Sequence, residues 1–302
     1  MYGKRMYGEL VKFTTKDGLR LDGFLLRSRP RNRRAILNVF GMTGNFFSSE
    51  RHRALYAAAR GGDTDIFLAN NRGMGVINCF NTVRKDRKCI GTARERFEDC
   101  VFDIGGAIDF LSKLGYKSVI LQGHSTGCQK VAYYCSERKD RRVGGVILLA
   151  PADDYNLARG IRIKGGFASA VKVARGMVMR GKGGELTPEW ISNYTAKRFL
   201  SYAEPDNAEA RLFNYDSAMK EFGRVRQPIL AVFGSEDESM TKPAMEHMRI
   251  LESRTGSSDF EWNIVKGVDH NFKGKEKELA RITLRWANRI NRIINLNGRT
   301  TS

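Results

Sequence analysis

Apolar and polar positions follow two different periods along the chain. The first fifty residues read as strands: "GELVKFTTKDG" and "LRLDGFLLRS", joined at the turn signal "KDG", then the apolar run "RRAILNVF" ending at Gly41. A helix is expected over "SERHRALYAAARGG", and "TDIFLANNRGMG" reads as a strand entering a glycine-containing loop. Phe97, Val101, Ile104, Ile108 and Leu111 then recur at three- and four-residue steps, which predicts a helix over 92–114 with one buried face. "KSVILQG" suits a strand buried on both faces. A helix from 125 to 138 follows it, then a second such strand in "VGGVILLAPADD". Helices between buried strands imply a parallel sheet.

This alternation stops after Tyr155 and resumes only at the buried run "QPILAVFGSEDE". The gap of roughly seventy residues is too long for an ordinary crossover. It predicts an inserted cap over 155–226, with the core formed by 1–154 and 227–302. The first part of the insert, "NLARGIRIKGGFASAVKVARGMVMRGKGG", is basic and has no carboxylate. The later part carries a helix-start signal at Thr187-Pro188-Glu189. Beyond it come an expected helix in "KPAMEHMRILESRTG", a strand in "DFEWNIVKG", the loop "VDHNFKG" and a long terminal helix. Leu279, Ile282, Leu284, Ile290 and Ile293 or Ile294 form the apolar stripe of that last helix.

Composition narrows the class. A hydrophobic fraction of 41% in 302 residues supports a folded core rather than a solvated chain. No apolar run reaches the length of a membrane span, and the polar N-terminus lacks the apolar centre of a signal peptide, so a cytoplasmic protein is expected. The five cysteines, Cys79, Cys89, Cys100, Cys128 and Cys135, have no metal-ligand spacing and are expected as reduced thiols. The net charge of +19 would attract anions. Its even spread, with no nucleic-acid-binding motif, favours a solubilising role over a nucleic-acid partner.

The candidate chemistry sits at Gly123-His124-Ser125-Thr126-Gly127, a G-x-S-x-G pattern between a buried strand and a helix. In that strand-turn-helix setting the serine takes a strained conformation at the carboxyl edge of the sheet. A serine hydroxyl needs a positioned base and an orienting acid. Of the four histidines, His52, His124 and His247 read as structural, whereas His270 follows the last strand at the same sheet edge. Asp237, after a short turn beyond "AVFG", is the matching acid. Glu236, Glu238, Asp153 and Asp154 are its rivals. The backbone N–H groups of Thr126 and of Met42, in the loop "NVFGMTGNFF", complete an expected oxyanion hole. Gly41, Arg72 and Met74 are expected to line the substrate pocket, and Cys128 to pack against the helix. No metal or organic cofactor is required.

With "GHSTG", "GSED" and "GVDH" in this order, the chain resembles the α/β-hydrolases, over nearly its whole length except the insert. "GHSTGCQKVAYY" is similar to a branch that includes fungal siderophore esterases. "FGMTGNFFS" is similar to bacterial esterases with a His-Gly pair in that loop, although Phe40 stands where their histidine would be. The resemblance implies a mostly parallel sheet with helices on both faces and an inserted helical cap. It also implies hydrolysis of a small-molecule carboxylic ester through an acyl-serine. An acyltransferase or thioesterase on the same triad, or a non-catalytic ligand-binding protein, are the alternatives. Two further expectations concern the insert: Arg159, Arg162 and Lys164 could read an anionic group, or face solvent while Phe167, Val171 and Met177 cover the acyl site.

Overall fold

A computed structural model of the chain describes residues 6–29, 32–47 and 49–299, with side chains to 292. Ile293 and Ile294 of the expected stripe therefore lie outside the described side chains. The strands are β1 (Glu9–Thr14), β2 (Arg20–Leu26), β3 (Arg34–Val39), β4 (Asp65–Ala69), β5 (Cys79–Asn81), β6 (Arg87–Cys89), β7 (Ser118–His124), β8 (Val143–Leu149), β9 (Ile229–Gly234) and β10 (Phe260–Val265). The helices are α1 (Glu50–Ala59), α2 (Cys100–Lys113), α3 (Thr126–Glu137), α4 (Asp154–Gly160), α5 (Phe167–Met179), α6 (Ala196–Ala203), α7 (Ala208–Leu212), α8 (Ala244–Arg254) and α9 (Glu276–Arg299). None of the described helices is long and apolar enough to cross a membrane.

Eight strands form one sheet in the order β1-β2-β4-β3-β7-β8-β9-β10. β2 runs antiparallel to β1 and β4, and every other pairing is parallel. α1 packs with α9, and α2 with α3, so that helices cover both faces. The central strands β3, β4, β7, β8 and β9 are buried almost throughout, as unbroken apolar runs with helices on both sides should be.

Register decides what meets at the carboxyl edge. Val39 pairs with Gly123, so the residues two beyond each, Gly41 and Ser125, come side by side. Val265 pairs with Gly234, which brings the loops leaving β9 and β10 together.

Three local expectations are corrected. α2 begins at Cys100 rather than residue 92, because the preceding residues are taken by tertiary contacts. Thr92 Oγ1 accepts from Thr43 N–H at 2.7 Å and donates to Gly73 O at 2.6 Å, and Glu95 pairs with Lys130. No helix starts at Thr187, whose hydroxyl donates to the Ser192 and Tyr194 carbonyls and closes a turn; Thr195 caps α6 instead. The hairpin β5–β6 was unforeseen in a polar segment, and Cys79 and Cys89, opposite each other in it, form a disulfide rather than free thiols.

The segment between β8 and β9 divides in two. Ala158, Ala170, Ala174, Met177, Ile191, Phe199, Leu200 and Tyr202 form an apolar cluster of their own, against which Met42 packs. Leu212, Phe213, Tyr215, Met219, Phe222 and Val225 instead join the main core. A buried set of charges binds these layers. Arg198 of α6 donates to both carboxylate oxygens of Glu209 on α7, with Nη2 2.8 Å from Oε1. Its Nη2 also lies 3.7 Å from Glu95, which Lys130 of α3 contacts at 2.8 Å. All four side chains are essentially inaccessible to solvent.

Removing one member leaves its partners charged and dry. Arg198→Met is expected to cost about 3–5 kcal/mol of unfolding free energy. Urea denaturation checks this, and a loss below about 1 kcal/mol would show that water compensates the network.

Candidate active site

Ser125 stands between β7 and α3 at φ 57°, ψ −135°. Three glycines make this corner possible. A Cβ on Gly123 would fall 2.4 Å from Gly127 O, one on Gly127 would fall 2.3 Å from Val39 O, and one on Gly41 would fall 3.2 Å from both Ser125 Cβ and Thr126 N. Strand, helix and the loop after β3 thus approach as closely as backbones can. Neither the Met42 nor the Thr126 N–H has an acceptor among the described residues. Ser125 Oγ likewise makes no hydrogen bond there.

His270 and Asp237 come from the paired ends of β10 and β9. His270 Nδ1 lies 3.0 Å from Asp237 Oδ1 and 3.1 Å from Oδ2. Ser239 adds a donor to Asp237 through both its N–H (2.8 Å) and its Oγ (2.6 Å), and its Oγ also lies 2.9 Å from His270 Nδ1. Burial pushes the Asp237 carboxyl up, but the hydrogen bonds from His270 and Ser239 outweigh it and hold the carboxyl below the usual aspartate range. Gly234 allows the two loops to meet, since a Cβ there would lie 2.4 Å from Val268 O. Ser125, His270 and Ser239 line one cavity of about 750 Å³, together with Gly41, Met42 and Thr126.

The rivals for the acid do not touch the His270 ring. Glu236 and Glu238 are exposed, and Glu238 accepts the His270 backbone N–H at 3.0 Å. Asp153 is buried as the cap of α4 and accepts from Asn156 and Tyr215. The other histidines are neutral. Burial drives His52 down to about 3, against the edge of Phe40, and His247 down to about 4, stacked on Tyr215. Burial likewise lowers His124, whose Nε2–H donates to the His270 backbone carbonyl at 2.9 Å. His124 therefore braces the loop that carries His270, a part that its position beside the serine did not signal.

Two expected pocket residues are corrected. Arg72 does not face the cavity: it is buried, with Nε and Nη2 on Asp103 (3.0 and 2.8 Å), Nη1 on Asp99 (3.0 Å) and Nη2 on Asp17 (2.9 Å). These bonds engage all three guanidinium nitrogens with carboxylates and hold the group away from the cavity. Met74 pairs with Thr43 as an isolated bridge and packs against the main core, off the cavity wall. Gly41 does line the cavity. Cys128 is buried, with Sγ 3.2 Å from Leu149 O, and burial pushes its thiol well up, so it packs without thiolate character. Arg159, Arg162 and Lys164 are exposed and off the cavity wall.

Asp154 is a wall residue that has a different neighbourhood. One of its oxygens accepts from Thr126 Oγ1 at 3.1 Å and from Gln129 Nε2 at 2.8 Å. Burial, followed by the charge of Glu209, pushes it up to about 8.

The family model described as "Protein of unknown function (DUF1749)" matches residues 96–294. No curated protein sequence matches. Among solved structures, the chain is similar to the siderophore hydrolase EstB from Aspergillus fumigatus, at 17% identity and a TM-score of 0.64 over 99% of both chains. It is similar to Est1E from Butyrivibrio proteoclasticus, with ferulic acid bound, at 15% identity and 0.65, over 92% of this chain and 98% of that one. It is also similar to a soluble variant of monoglyceride lipase from Saccharomyces cerevisiae, at 15% identity and 0.65, over 95% and 96%. At these identities the likeness is one of fold: the chain has the α/β-hydrolase fold.

The Asp154 environment makes a prediction about stability. The folded protein keeps this proton at pH values where the unfolded chain has lost it, so stability falls as pH rises from about 4 towards 8. Asp154→Asn removes that loss. Its melting temperature relative to the parent should rise between about pH 4 and about pH 8 and level off above that. A difference that stays constant with pH would show that Asp154 titrates normally.

Proposed function

We propose that this chain, which belongs to the DUF1749 family, is a serine carboxylesterase with Ser125 as nucleophile, His270 as base and Asp237 as the orienting acid. The observation that carries the reading is the pair of hydrogen bonds from His270 Nδ1 to Asp237, on the cavity that Ser125 also lines. With Nδ1–H given to the carboxylate, Nε2 is left as the basic nitrogen.

In this reading Ser125 Oγ attacks the ester carbon while its proton passes to His270 Nε2. The oxyanion forms against the unpaired N–H groups of Met42 and Thr126, each worth about 3–4 kcal/mol in such a site. The imidazolium then protonates the leaving alcohol. Water, deprotonated by the same nitrogen, releases the acid and restores Ser125. Asp237, held below the usual carboxylate range, stays ionised and stabilises the imidazolium. The cluster built by α4, α5 and α6 serves as a cap: it meets the catalytic layer through Met42, whose Sδ lies 4.0 Å from Tyr194 Oη, and so couples cap packing to the oxyanion loop.

Short p-nitrophenyl esters test the proposal. Ser125→Ala is expected to lower turnover about ten-thousand-fold or more and to abolish labelling by a fluorophosphonate probe. Asp237→Asn should lower kcat by a comparable factor with the fold intact. Turnover unaffected by Ser125→Ala, or a folded protein that the probe does not label, would overturn the esterase reading.

The brace on the histidine loop yields a separate expectation. His124→Phe keeps the ring but strands the His270 carbonyl, and should reduce kcat roughly 5- to 30-fold, as expected for a lost bond of about 1–2 kcal/mol. An unchanged kcat would mean that the loop holds itself.

A further inference from the structure

The Ser125 cavity contains a cation that no carboxylate answers. Arg51, in the first turn of α1, is half-buried on its wall. Its Nη1 donates to the backbone carbonyl of Asn271 at 3.1 Å and to Asn271 Oδ1 at 2.9 Å, both uncharged acceptors. Among the described residues Nε and Nη2 have no acceptor, and the guanidinium forms no ion pair.

The acids on the same wall are engaged by other groups. Glu50 pairs with Arg53 at 3.1 Å, and Asp154 holds Thr126 and Gln129. Asp269 Oδ1 accepts the N–H groups of Asn271 and Lys273, and Glu276 Oε1 accepts that of Gly274. Burial lowers the Arg51 guanidinium to about 10 despite the charges of Asp269 and Glu276, which leaves it positive at neutral pH. His52 and His124, close enough to feel this charge, are neutral. Lys273 adds a second cation on the cavity wall.

We infer that Arg51 binds a carboxylate on the substrate, so that the site selects esters bearing a negative charge near the scissile bond. The argument is one of shape as well as charge. Nη1 is tied to Asn271, and the free Nε and Nη2 form the edge of the guanidinium that meets a planar carboxylate through two parallel hydrogen bonds. In a partly desolvated cavity such a charge-assisted pair is worth more than it would be in bulk water. The inference rests on the esterase reading. Its competitor is a purely structural part for Arg51, bracing the His270 loop through Asn271, which would affect every substrate alike.

Two p-nitrophenyl esters of matched length separate these: the pentanoate and the mono-ester of glutaric acid, whose far end is a carboxylate. The parent protein is expected to favour the glutarate ester, with a preference that shrinks in about 0.3 M salt. Arg51→Met should lower kcat/KM for the glutarate ester roughly ten- to a hundredfold more than for the pentanoate, mainly through KM. Arg51→Lys, which keeps the charge but loses the fork, should fall between them. Equal losses on both esters, or a parent with no salt-sensitive preference, would overturn the inference. Should Arg51→Met fail to fold, the lysine variant and the salt dependence of the parent decide. Pentanoate turnover that Ser125→Ala leaves intact would instead overturn the esterase reading, which the Arg51 variants do not address.

Discussion

A backbone conformation that L-residues avoid, held at φ 57° for Ser125, costs on the order of 1–3 kcal/mol and persists only when its surroundings over-determine it. Here they do so from three sides. Ser125 N–H is tied to Leu149 O on β8 at 3.0 Å, and Ser125 O accepts from Cys128 N–H at 2.8 Å inside α3. The glycines at 41, 123 and 127 remove the side chains that would hold β3, β7 and α3 apart. That closeness is what brings the Met42 loop to the serine, and the parallel register of β3 on β7 is what aims it there. The acid and the histidine obey the same logic one edge further along, where Gly234 lets the β9 and β10 loops touch.

The buried charges extend this constraint to the helices between β8 and β9. Lys130 lies on α3, one helix turn beyond the elbow, and reaches Glu95, which Arg198 on α6 also faces. Two cations meet two anions out of water, so the set is neutral as a whole but intolerant of losing any part. Arg72 does a similar thing between α2 and the β1–β2 turn, gathering Asp17, Asp99 and Asp103. Ionic contacts of this kind fix which surfaces meet. Apolar contacts are non-directional, whereas these paired charges tolerate only one arrangement.

Periodicity made the sheet legible, because short unbroken apolar runs set between helical patterns suit strands buried on both faces. Ser125 and Asp237 were placed in the same way, each following an apolar run, whereas β10 before His270 carries Glu261 and Asn263, and His270 was placed by its loop at the sheet edge. What escaped depended on long-range partners. Thr92 and Glu95 fit a helical pattern, yet contacts with Thr43, Gly73 and Lys130 hold them outside α2. Thr187-Pro188-Glu189 has helix-start chemistry, but the hydroxyl that should cap a helix closes a turn on Ser192 and Tyr194. Arg72 looked like a pocket residue because its strand end faces the right edge, and only the carboxylates of Asp17, Asp99 and Asp103 reveal that its guanidinium is turned away from the cavity. Ser239, His124 and Asp154 took on meaning through geometry alone, although Ser239 stands two residues from the acid and His124 beside the serine.

The surplus of positive charge acquires a location once the buried pairs are subtracted. Inside the protein Arg72, Lys130 and Arg198 are matched by carboxylates, so the excess that makes up +19 lies where water screens it, much of it along the carboxylate-free stretch 156–184. Screening limits its reach to about 8–10 Å at moderate ionic strength, enough to draw anions to the rim but not to hold one at the serine. Holding requires a cation inside the cavity with donors to spare, and Arg51 is placed and bonded in that way. On the proposed reading, surface and cavity therefore divide the electrostatic work: the exposed cations would raise the local concentration of anionic esters, and the fork of Arg51 would orient them against Ser125.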